Sequence, residues 1–320
     1  MIDLDGLVAA VRAHPGLAAK RPLVEVARVI GGDGDDAALL PDGDGRLVLV
    51  AEAILPALVA ADPRVAGAAG VVAVLNDVAA SGGPPFAILD TVVAGDAETA
   101  GAVLAGLRAT ADLYAVPVVG GHTTIAPEAA LSTFAAGRAV RPLAAAHARS
   151  GDGLVLVACL EGQALTGPGG LALFSHLRGP RRERAAADLA LLADSAEAGE
   201  AWAARDVSMP GLAGSLIQLC ESAGGLGCEL RVDAIPVPPG LDLAAWLVTF
   251  PSYGFLLVGD PPPIVGRFAA AGLAAAAVGR LDASGVVRAV AGGKERVLWD
   301  LRAEPLAGMG AERGRRAPVT

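Results

Sequence analysis

Four short motifs, rich in glycine and in acidic or hydroxyl side chains, interrupt the chain where an apolar strand or helix is predicted to end. They occupy residues 32–38, 76–83, 120–124 and 205–212. Each motif offers either a carboxylate that can bind Mg²⁺ or flexible backbone that can approach a phosphate. No GxxxxGK[ST] sequence occurs, so the P-loop route to ATP is closed. The four motifs together predict a protein that handles nucleotide phosphates through carboxylates and a metal ion.

The net charge of −9 limits the partners that we expect. A nucleic-acid-binding protein needs a basic face, and this composition argues against one. A phosphate ligand that approaches an acidic protein needs a cation between the two. We therefore expect a small-molecule substrate and no nucleic-acid partner.

The cysteines and the apolar segments indicate the compartment. Cys159, Cys220 and Cys228 have no CxxC spacing, which favours reduced thiols in a cytosolic protein. The first residues include Asp3 and Asp5 and no long apolar stretch, so no signal peptide is predicted. No apolar run approaches the roughly 20 residues of a membrane-spanning helix. We expect a cytoplasmic protein without a membrane partner.

The first half of the chain alternates predicted strands and helices. After a helical lead-in to residue 30 we expect, in order, a hairpin over 37–52, a helix over 63–80, a strand over 86–93, a helix over 97–114, and strands over 116–119 and 131–140. Such alternation is typical of an α/β or α+β domain.

The second half begins after a turn at residues 150–153. We expect helices over 183–200, 210–222 and 263–271, and strands over 154–159, 227–232, 254–258, 275–280 and 286–290. These patterns predict an N-terminal domain over 1–148, a C-terminal α+β domain over 149–302 and a disordered tail over 303–320.

The first motif contains Asp33, Asp35 and Asp36 among glycines. Hard cations prefer oxygen ligands, and glycine lets the chain fold tightly around them, so Asp35 and Asp36 are candidate metal ligands. Ala37 stands where an EF-hand needs its third ligand, which excludes that motif. A solvated acidic turn is the alternative, because Asp and Gly are turn residues.

Asn76 and Asp77 lie near the end of an otherwise apolar predicted helix. The backbone dipole disfavours a carboxylate at a helix C-terminus, so Asp77 points to a nearby cation. An ordinary polar residue on the helix surface is the alternative.

The third motif is Gly120-Gly121-His122-Thr123-Thr124, which follows a short apolar strand. Glycine loops after strands are where ligands bind in α/β sheets, and the backbone N–H groups and hydroxyls can hold phosphate oxygens. The alternatives are a plain turn at the end of a strand and, for His122, a structural role.

Asp206 and Glu52 complete the acidic set. Asp206 lies just before a predicted helix in which Ser208 is a reasonable N-cap, and capping leaves Asp206 unexplained. Glu52 ends a predicted strand and is either a further ligand or an ordinary charge at a strand end.

As an ordered set, the motifs resemble a superfamily of four enzymes: aminoimidazole ribonucleotide synthetase, thiamine-monophosphate kinase, selenophosphate synthetase and the hydrogenase maturation carbamoyl dehydratase. Residues 34–38 resemble the GDDAA of the kinases, and 76–82 resemble their N-x-x-D-I-A-A-M-G helix. Residues 120–123 are similar to the GGHT of selenophosphate synthetases, and 206–212 to the family's D-[IV]-[ST]-x-G-L. The resemblance covers about residues 30–290.

The resemblance implies an α+β fold of two domains, whose N-terminal α/β domain dimerises through its sheet. It implies a homodimer that binds ATP in a cleft, with Mg²⁺ held by aspartates, and transfers the γ-phosphoryl group to an oxygen of a small substrate. The implied metal ligands are Asp36, Asp77 and Asp206, with Asp35 and Glu52 as candidates. Asn76, Gly120, Gly121 and Thr123 would bind the nucleotide, and His122 with Asp77 would serve catalysis.

Two departures from the family keep a second interpretation open. Glu52 stands where the family has Thr-Asp, and His122 replaces an acidic residue of most branches. The early Cys or selenocysteine of selenophosphate synthetases is absent, because all three cysteines lie beyond residue 158. The alternative is a nucleotide-binding or partner-binding protein of the same fold that has lost catalysis.

Overall fold

The computed structural model describes residues 2–30 and 34–308. Internal contacts divide the chain into two compact units. The terminal unit comprises Met1–Asp35, Leu143–Leu160 and Ala198–Thr320, and the inserted unit comprises Asp36–Pro142 and Glu161–Glu197. The predicted division at residue 148 differs from this partition, because the first 35 residues pack with the C-terminal half and residues 161–197 pack with the N-terminal half.

The described residues form helices and strands in a mixed order. The helices are α1 (Leu4–Ala13), α2 (Pro15–Ala18), α3 (Leu23–Ile30), α4 (Pro56–Ala61), α5 (Pro63–Ala80), α6 (Ala97–Leu113), α7 (Ala185–Glu197), α8 (Gly211–Ser222), α9 (Leu243–Leu247) and α10 (Pro261–Ala270). The strands are β1 (Ala38–Asp42), β2 (Gly45–Ile54), β3 (Pro85–Ala94), β4 (Val118–Ile125), β5 (Ala130–Ala139), β6 (Gly153–Ala158), β7 (Gln163–Thr166), β8 (Ala172–Ser175), β9 (Ala201–Asp206), β10 (Gly227–Arg231), β11 (Phe250–Pro251), β12 (Gly254–Gly259), β13 (Ala274–Asp282), β14 (Val286–Ala291) and β15 (Lys294–Asp300).

The inserted unit is built on a sheet with the strand order β1-β2-β5-β3-β4. Neighbouring strands are antiparallel except for β3 and β4, which run parallel. Helices α5 and α6 cover one face. The hydroxyl of Thr133 on β5 donates to the carbonyl of Gly70 on α5 over 2.9 Å, which fixes that helix on the sheet.

The other face of this sheet exposes large apolar side chains. Leu49, Leu89 and Phe134 lie on neighbouring strands and are all exposed. Leu89 pairs with Phe134 on one side and with Gly120 on the other, so the apolar surface extends across β5, β3 and β4. A contiguous apolar surface of this kind is uncommon on a monomer.

The terminal unit is built on a sheet with the order β15-β14-β10-β13-β6-β12-β9. Strands β6 and β12 lie in its interior and are buried along almost their whole length, which explains their continuous apolar sequences. Helix α8 is buried at every residue from Gly211 to Ser222. On α1, Arg12 donates to the carbonyl of Leu298 on β15 over 3.2 Å.

The hairpin of β1 and β2 and the helices α5, α6 and α8 confirm the sequence predictions for those segments. Strands β7, β8, β9, β11 and β15 were not predicted. Residues 303–308 were assigned to a disordered tail, yet Leu306 and Ala307 are buried. Residues 309–320 lie outside the described part of the chain.

Helix α5 is the one described helix that is long and apolar enough to cross a membrane, and 67% of it is buried inside the protein. Such burial is typical of the core helix of a globular domain.

Helices α5 and α6 approach closely through a pair of glycines. A Cβ at Gly67 on α5 would clash with the carbonyl of Val103 on α6, and one at Gly106 on α6 would clash with the carbonyl of Arg64 on α5. The backbone of each helix therefore occupies the space that a side chain of the other would need.

We predict that Gly67→Ala lowers the free energy of unfolding by about 1–3 kcal/mol, because the methyl group must push the two backbones apart. The matched control is Gly101→Ala on the exposed side of α6, where nothing lies within 4 Å of the added atom. That variant should gain up to about 1 kcal/mol from helix propensity. Urea titrations of both variants measure the difference, and equal stabilities would contradict the close approach of the helices.

Candidate functional site

Two carboxylates of the inserted unit lie close together. One oxygen of Asp36, which precedes β1, and one oxygen of Asp77 on α5 are within 4.8 Å of each other. Asp36 is half-buried and Asp77 is 6% exposed. Two acids at this separation repel each other in a poorly hydrated setting. Their oxygens are also near enough to bind one hard cation, which needs ligands at about 2.0–2.6 Å.

The position of Asp77 in its helix also favours a nearby cation. It lies in the last turn of α5, where the carbonyl groups of the helix end carry partial negative charge. Its own carbonyl accepts hydrogen bonds from the backbone N–H of Ser81 at 3.1 Å and from the hydroxyl of Ser81 at 3.0 Å. The interpretation of Asp77 as a residue on the helix surface is wrong, because the side chain is buried. A carboxylate in this place fits a cation site.

Asn76 precedes Asp77 and is 1% exposed. Successive residues of a helix point about 100° apart. The two side chains therefore leave α5 in different directions, and the burial of Asn76 also argues against an ordinary surface role.

Gly34 and Asp35 belong to the terminal unit. The carbonyl of Gly34 accepts hydrogen bonds from Arg205 Nη1 at 3.0 Å and from the hydroxyl of Ser222 at 2.6 Å. Asp35 Oδ2 accepts from the backbone N–H of Ala145 at 2.8 Å. The segment before Asp36 is therefore held by three separate elements of its unit. Asp33, predicted to lie in the same motif, is outside the described residues.

Asp206 is the last residue of β9 and is 3% exposed. It pairs with Phe255 on the neighbouring strand β12, so its backbone is fixed in the sheet. Ser208 is not the N-cap of α8, in contrast to the prediction. Its backbone N–H donates to the hydroxyl of Ser215 at 3.0 Å, and the helix begins at Gly211 after Pro210.

A row of residues crosses the inserted sheet on the face that α5 covers. Glu52 on β2 pairs with Thr133 on β5, which pairs with Asp90 on β3, which in turn pairs with Gly121 on β4. Thr133 is fully buried, whereas Glu52 is exposed. The row thus carries one exposed and one buried carboxylate on the same face.

Asp90 is a candidate that the sequence analysis missed. It is 7% exposed, and burial raises the pKa of its carboxyl group. A Cβ at Gly121 would clash with the Asp90 carboxylate, so this position needs a glycine to leave room for the acid. The signal available in the sequence was an aspartate in the middle of an otherwise apolar strand.

The third motif lies within strand β4 and not in a loop after it, which corrects the prediction. Side chains alternate between the faces of a strand. Gly121 and Thr123 share the face of Asp90, and Gly120 and His122 share the opposite face with Leu89 and Thr91. His122 and Thr123 are both exposed. The strand therefore divides the four predicted residues between two surfaces.

Two family models match the chain. The model of the AIR synthase related protein, N-terminal domain, matches residues 34–139, and that of the AIR synthase related protein, C-terminal domain, matches residues 149–292. The chain is 35% identical over 279 residues to the uncharacterized protein sll0787 of Synechocystis, with 86% of each chain covered. It is 29% identical over 197 residues to the uncharacterized protein MJ0640 of Methanocaldococcus jannaschii, covering 60% of this chain and 59% of that protein.

Several solved structures share the fold. Thermotoga maritima PurL complexed with ADP matches with a TM-score of 0.71 at 19% identity, covering 89% of this chain and 48% of that one. The chain thus spans about half the length of the PurL structures that it matches. AaThiL complexed with AMPPCP and TMP matches with a TM-score of 0.65 at 18% identity, covering 87% of this chain and 95% of that one. HypE in a HypE–HypF complex matches with a TM-score of 0.66 at 16% identity, covering 85% of this chain and 97% of that one.

These comparisons confirm the α+β architecture with two domains that was predicted from the motifs. The matched ranges lie on either side of the predicted boundary at residue 148, although the compact units divide the chain differently. On the match of both family models and the similarity to the Synechocystis protein, the chain belongs to the AIR synthase related protein family.

Proposed function

We propose that the protein is a Mg²⁺-dependent enzyme that uses ATP to phosphorylate an amide, carbonyl or phosphate oxygen of a small metabolite. The observation that carries this proposal is the close pair of carboxylates formed by Asp36 and Asp77. Each acid lies in a motif predicted to bind a metal ion, and a divalent cation can bind two carboxylate oxygens that lie this close together.

The nature of the ligand is supported by relatives that share the fold. Solved structures of T. maritima PurL contain ADP, ATP or AMPPCP, and AaThiL was solved with AMPPCP and TMP. For this chain, ATP is a proposal that combines those observations with the acidic pair. Bound Mg²⁺ would neutralise charge on the phosphates.

We propose Asp36 and Asp77 as the primary metal ligands, with Asp206 as a further one. The support for Asp206 is a carboxylate that is almost fully buried at the end of the edge strand β9. Asp35 is a weaker candidate, because one of its oxygens already accepts from Ala145. Glu52 is a further candidate, on the same face of the inserted sheet as Asp90, and it is exposed on β2.

The nucleotide would contact strands β3 and β4 of the inserted sheet. Gly121 and Thr123 share a face with Asp90, so these three residues can act on one group. We propose that Thr123 and the backbone at Gly120 and Gly121 donate to phosphate oxygens. Asp90 would accept a proton from the substrate, a role that suits a buried carboxyl with a raised pKa.

His122 and Asn76 need a separate assignment. His122 lies on the opposite face of β4, so a role in stabilising the transferred charge requires that the nucleotide reach around the edge of the strand. This placement favours the second candidate function, a binding protein of the same fold without catalysis. Asn76, which lies on α5, would orient the bound nucleotide. Phosphate release measured with candidate substrates separates an enzyme from a binding protein.

We propose that the protein forms a homodimer through the exposed apolar face of the inserted sheet. Leu49, Leu89 and Phe134 present this face to solvent in the single chain, and a second copy would cover it with an identical surface. A cytoplasmic location likewise remains a proposal.

We predict that the protein binds ATP with Mg²⁺ and binds it weakly or not at all in EDTA. Clustered carboxylates repel the polyanion unless a cation lies between them. Calorimetric titrations with ATP, with and without Mg²⁺, measure both affinities. Equal affinities in the two conditions would show that the acids do not act through a metal.

A second prediction concerns Asp77→Asn, which keeps the shape of the side chain and removes its charge. The affinity for Mg²⁺-ATP and the activity should each fall by about tenfold, equivalent to about 1.4 kcal/mol. The melting temperature without ligand should stay the same or rise, because repulsion from Asp36 is relieved.

The matched control for Asp77 is Asp194→Asn. Asp194 is exposed, and it lies three residues before the end of α7 just as Asp77 lies three residues before the end of α5. It should leave both affinity and activity unchanged. If Asp77→Asn melts at a lower temperature and still binds the nucleotide normally, Asp77 is structural.

A third prediction tests the dimer. Light scattering should give twice the chain mass of 31.7 kDa at micromolar concentration. Phe134→Glu should give a monomer, because it places a charge in the middle of the apolar face. Val297→Glu replaces a similarly exposed apolar residue on β15 and should leave the dimer intact. A wild-type protein of one chain mass would refute the proposal.

A further inference from the structure

The C-terminal end of α8 holds two other segments of the terminal unit through adjacent residues. Glu221 accepts hydrogen bonds from three consecutive backbone N–H groups, those of Leu306 at 2.8 Å, Ala307 at 3.0 Å and Gly308 at 3.2 Å. Ser222, the next residue, donates its hydroxyl to the carbonyl of Gly34 at 2.6 Å. One turn of helix thus joins residues 306–308, which we call the C-terminal strap, to the segment that precedes Asp36.

Glu221 is 8% exposed and lies in the last turn of a buried helix. The helix dipole disfavours a carboxylate there, so the acid requires donors. Consecutive backbone N–H groups form a concave anion site, and the strap supplies one. Gly308 has a φ of 70°, which favours glycine. The strap is therefore shaped to surround the acid.

The strap is itself packed into the unit. Leu306 is fully buried, and a Cβ at Gly308 would lie 3.2 Å from the Cα of Val24 on α3. The indole N–H of Trp299 donates to the carbonyl of Glu304 at 2.9 Å. These contacts make the strap a fixed support, against which Glu221 can hold the end of α8.

The position of Gly34 depends on that helix end. Its carbonyl accepts from Ser222 on α8 and from Arg205, the residue before Asp206. A shift of the last turn of α8 would move one of these two donors. Because Gly34 and Asp35 directly precede Asp36 in the chain, such a shift reaches the first proposed metal ligand.

We infer that Glu221 is a positioning residue, which acts through Ser222 to fix the Gly34–Asp35 segment and thereby the metal ligand that follows it. This inference rests on the proposed function for the role of the metal, whereas the positioning itself concerns the protein alone. It also gives residues 306–308 a role in the site although they lie far from it in the sequence.

The test uses the full chain without ligand and compares wild type with Glu221→Ala by hydrogen exchange. Amide exchange in peptides that contain residues 35–38 should become about tenfold faster, together with exchange in the strap. Mn²⁺ affinity, measured from the electron paramagnetic resonance signal of the free ion, should be about tenfold weaker. Faster exchange in the strap with unchanged exchange at residues 35–38 would overturn the inference.

Two further variants test the route from Glu221. Glu304→Ala removes the exposed ion pair of 3.1 Å with Arg21 near the strap, without touching the Glu221 contacts, and should leave residues 35–38 unchanged. Ser222→Ala should reproduce the effect of Glu221→Ala on these residues, and the double variant should add nothing to it. Additive effects would show that Glu221 does not act through Ser222.

If Glu221→Ala fails to fold, Glu221→Gln serves as the milder variant, because the amide keeps one acceptor oxygen for the strap. It should give the same changes at a smaller amplitude. Failure of wild type to bind Mn²⁺ would refute the proposed metal site and leave the exchange result as the test of positioning. Normal Mn²⁺ affinity and normal exchange in both Glu221 variants and in Ser222→Ala would refute the positioning alone.

Discussion

The buried carboxylates of this protein impose the constraint on which the rest of the site depends. Asp77 lies in the last turn of an apolar helix, with an oxygen of Asp36 within 4.8 Å of its own. Both the helix dipole and the neighbouring charge act against it. Carboxylate oxygens that lie this close together can bind one hard cation. The proposal of a cation here therefore rests on the packing of α5 as well as on the kinds of residue.

The inserted sheet separates two kinds of surface by the alternation of its strands. The face under α5 carries Glu52, Thr133 and Asp90 in one row, and the opposite face carries Leu89 and Phe134. One face can therefore serve chemistry while the other serves association. Gly121 matters to both faces, because it leaves room for Asp90 on one face of a strand that also borders the apolar face.

The terminal unit illustrates a different principle, in which a loop is fixed by groups distant in the sequence. Gly34 is held by Arg205 and Ser222, and Glu221 holds the strap at residues 306–308. Short polar contacts at the end of one buried helix thus connect Gly34 with residues 306–308, which are far apart in the sequence. A loop that carries a metal ligand gains from such support, because ligand geometry depends on the groups around it.

The sequence by itself determined the helices α5, α6 and α8, the hairpin of β1 and β2, and the acidic motifs, because periodicity and glycine content are local properties. It also indicated the family through the order of those motifs. Only the tertiary structure decided that Asp77 is buried near Asp36, that Gly121 and His122 face opposite sides of β4, and that the buried Asp90 shares the face of Gly121. It also decided that residues 306–308 are ordered around Glu221. These outcomes depend on strand register and on contacts between distant segments, which a local pattern does not encode.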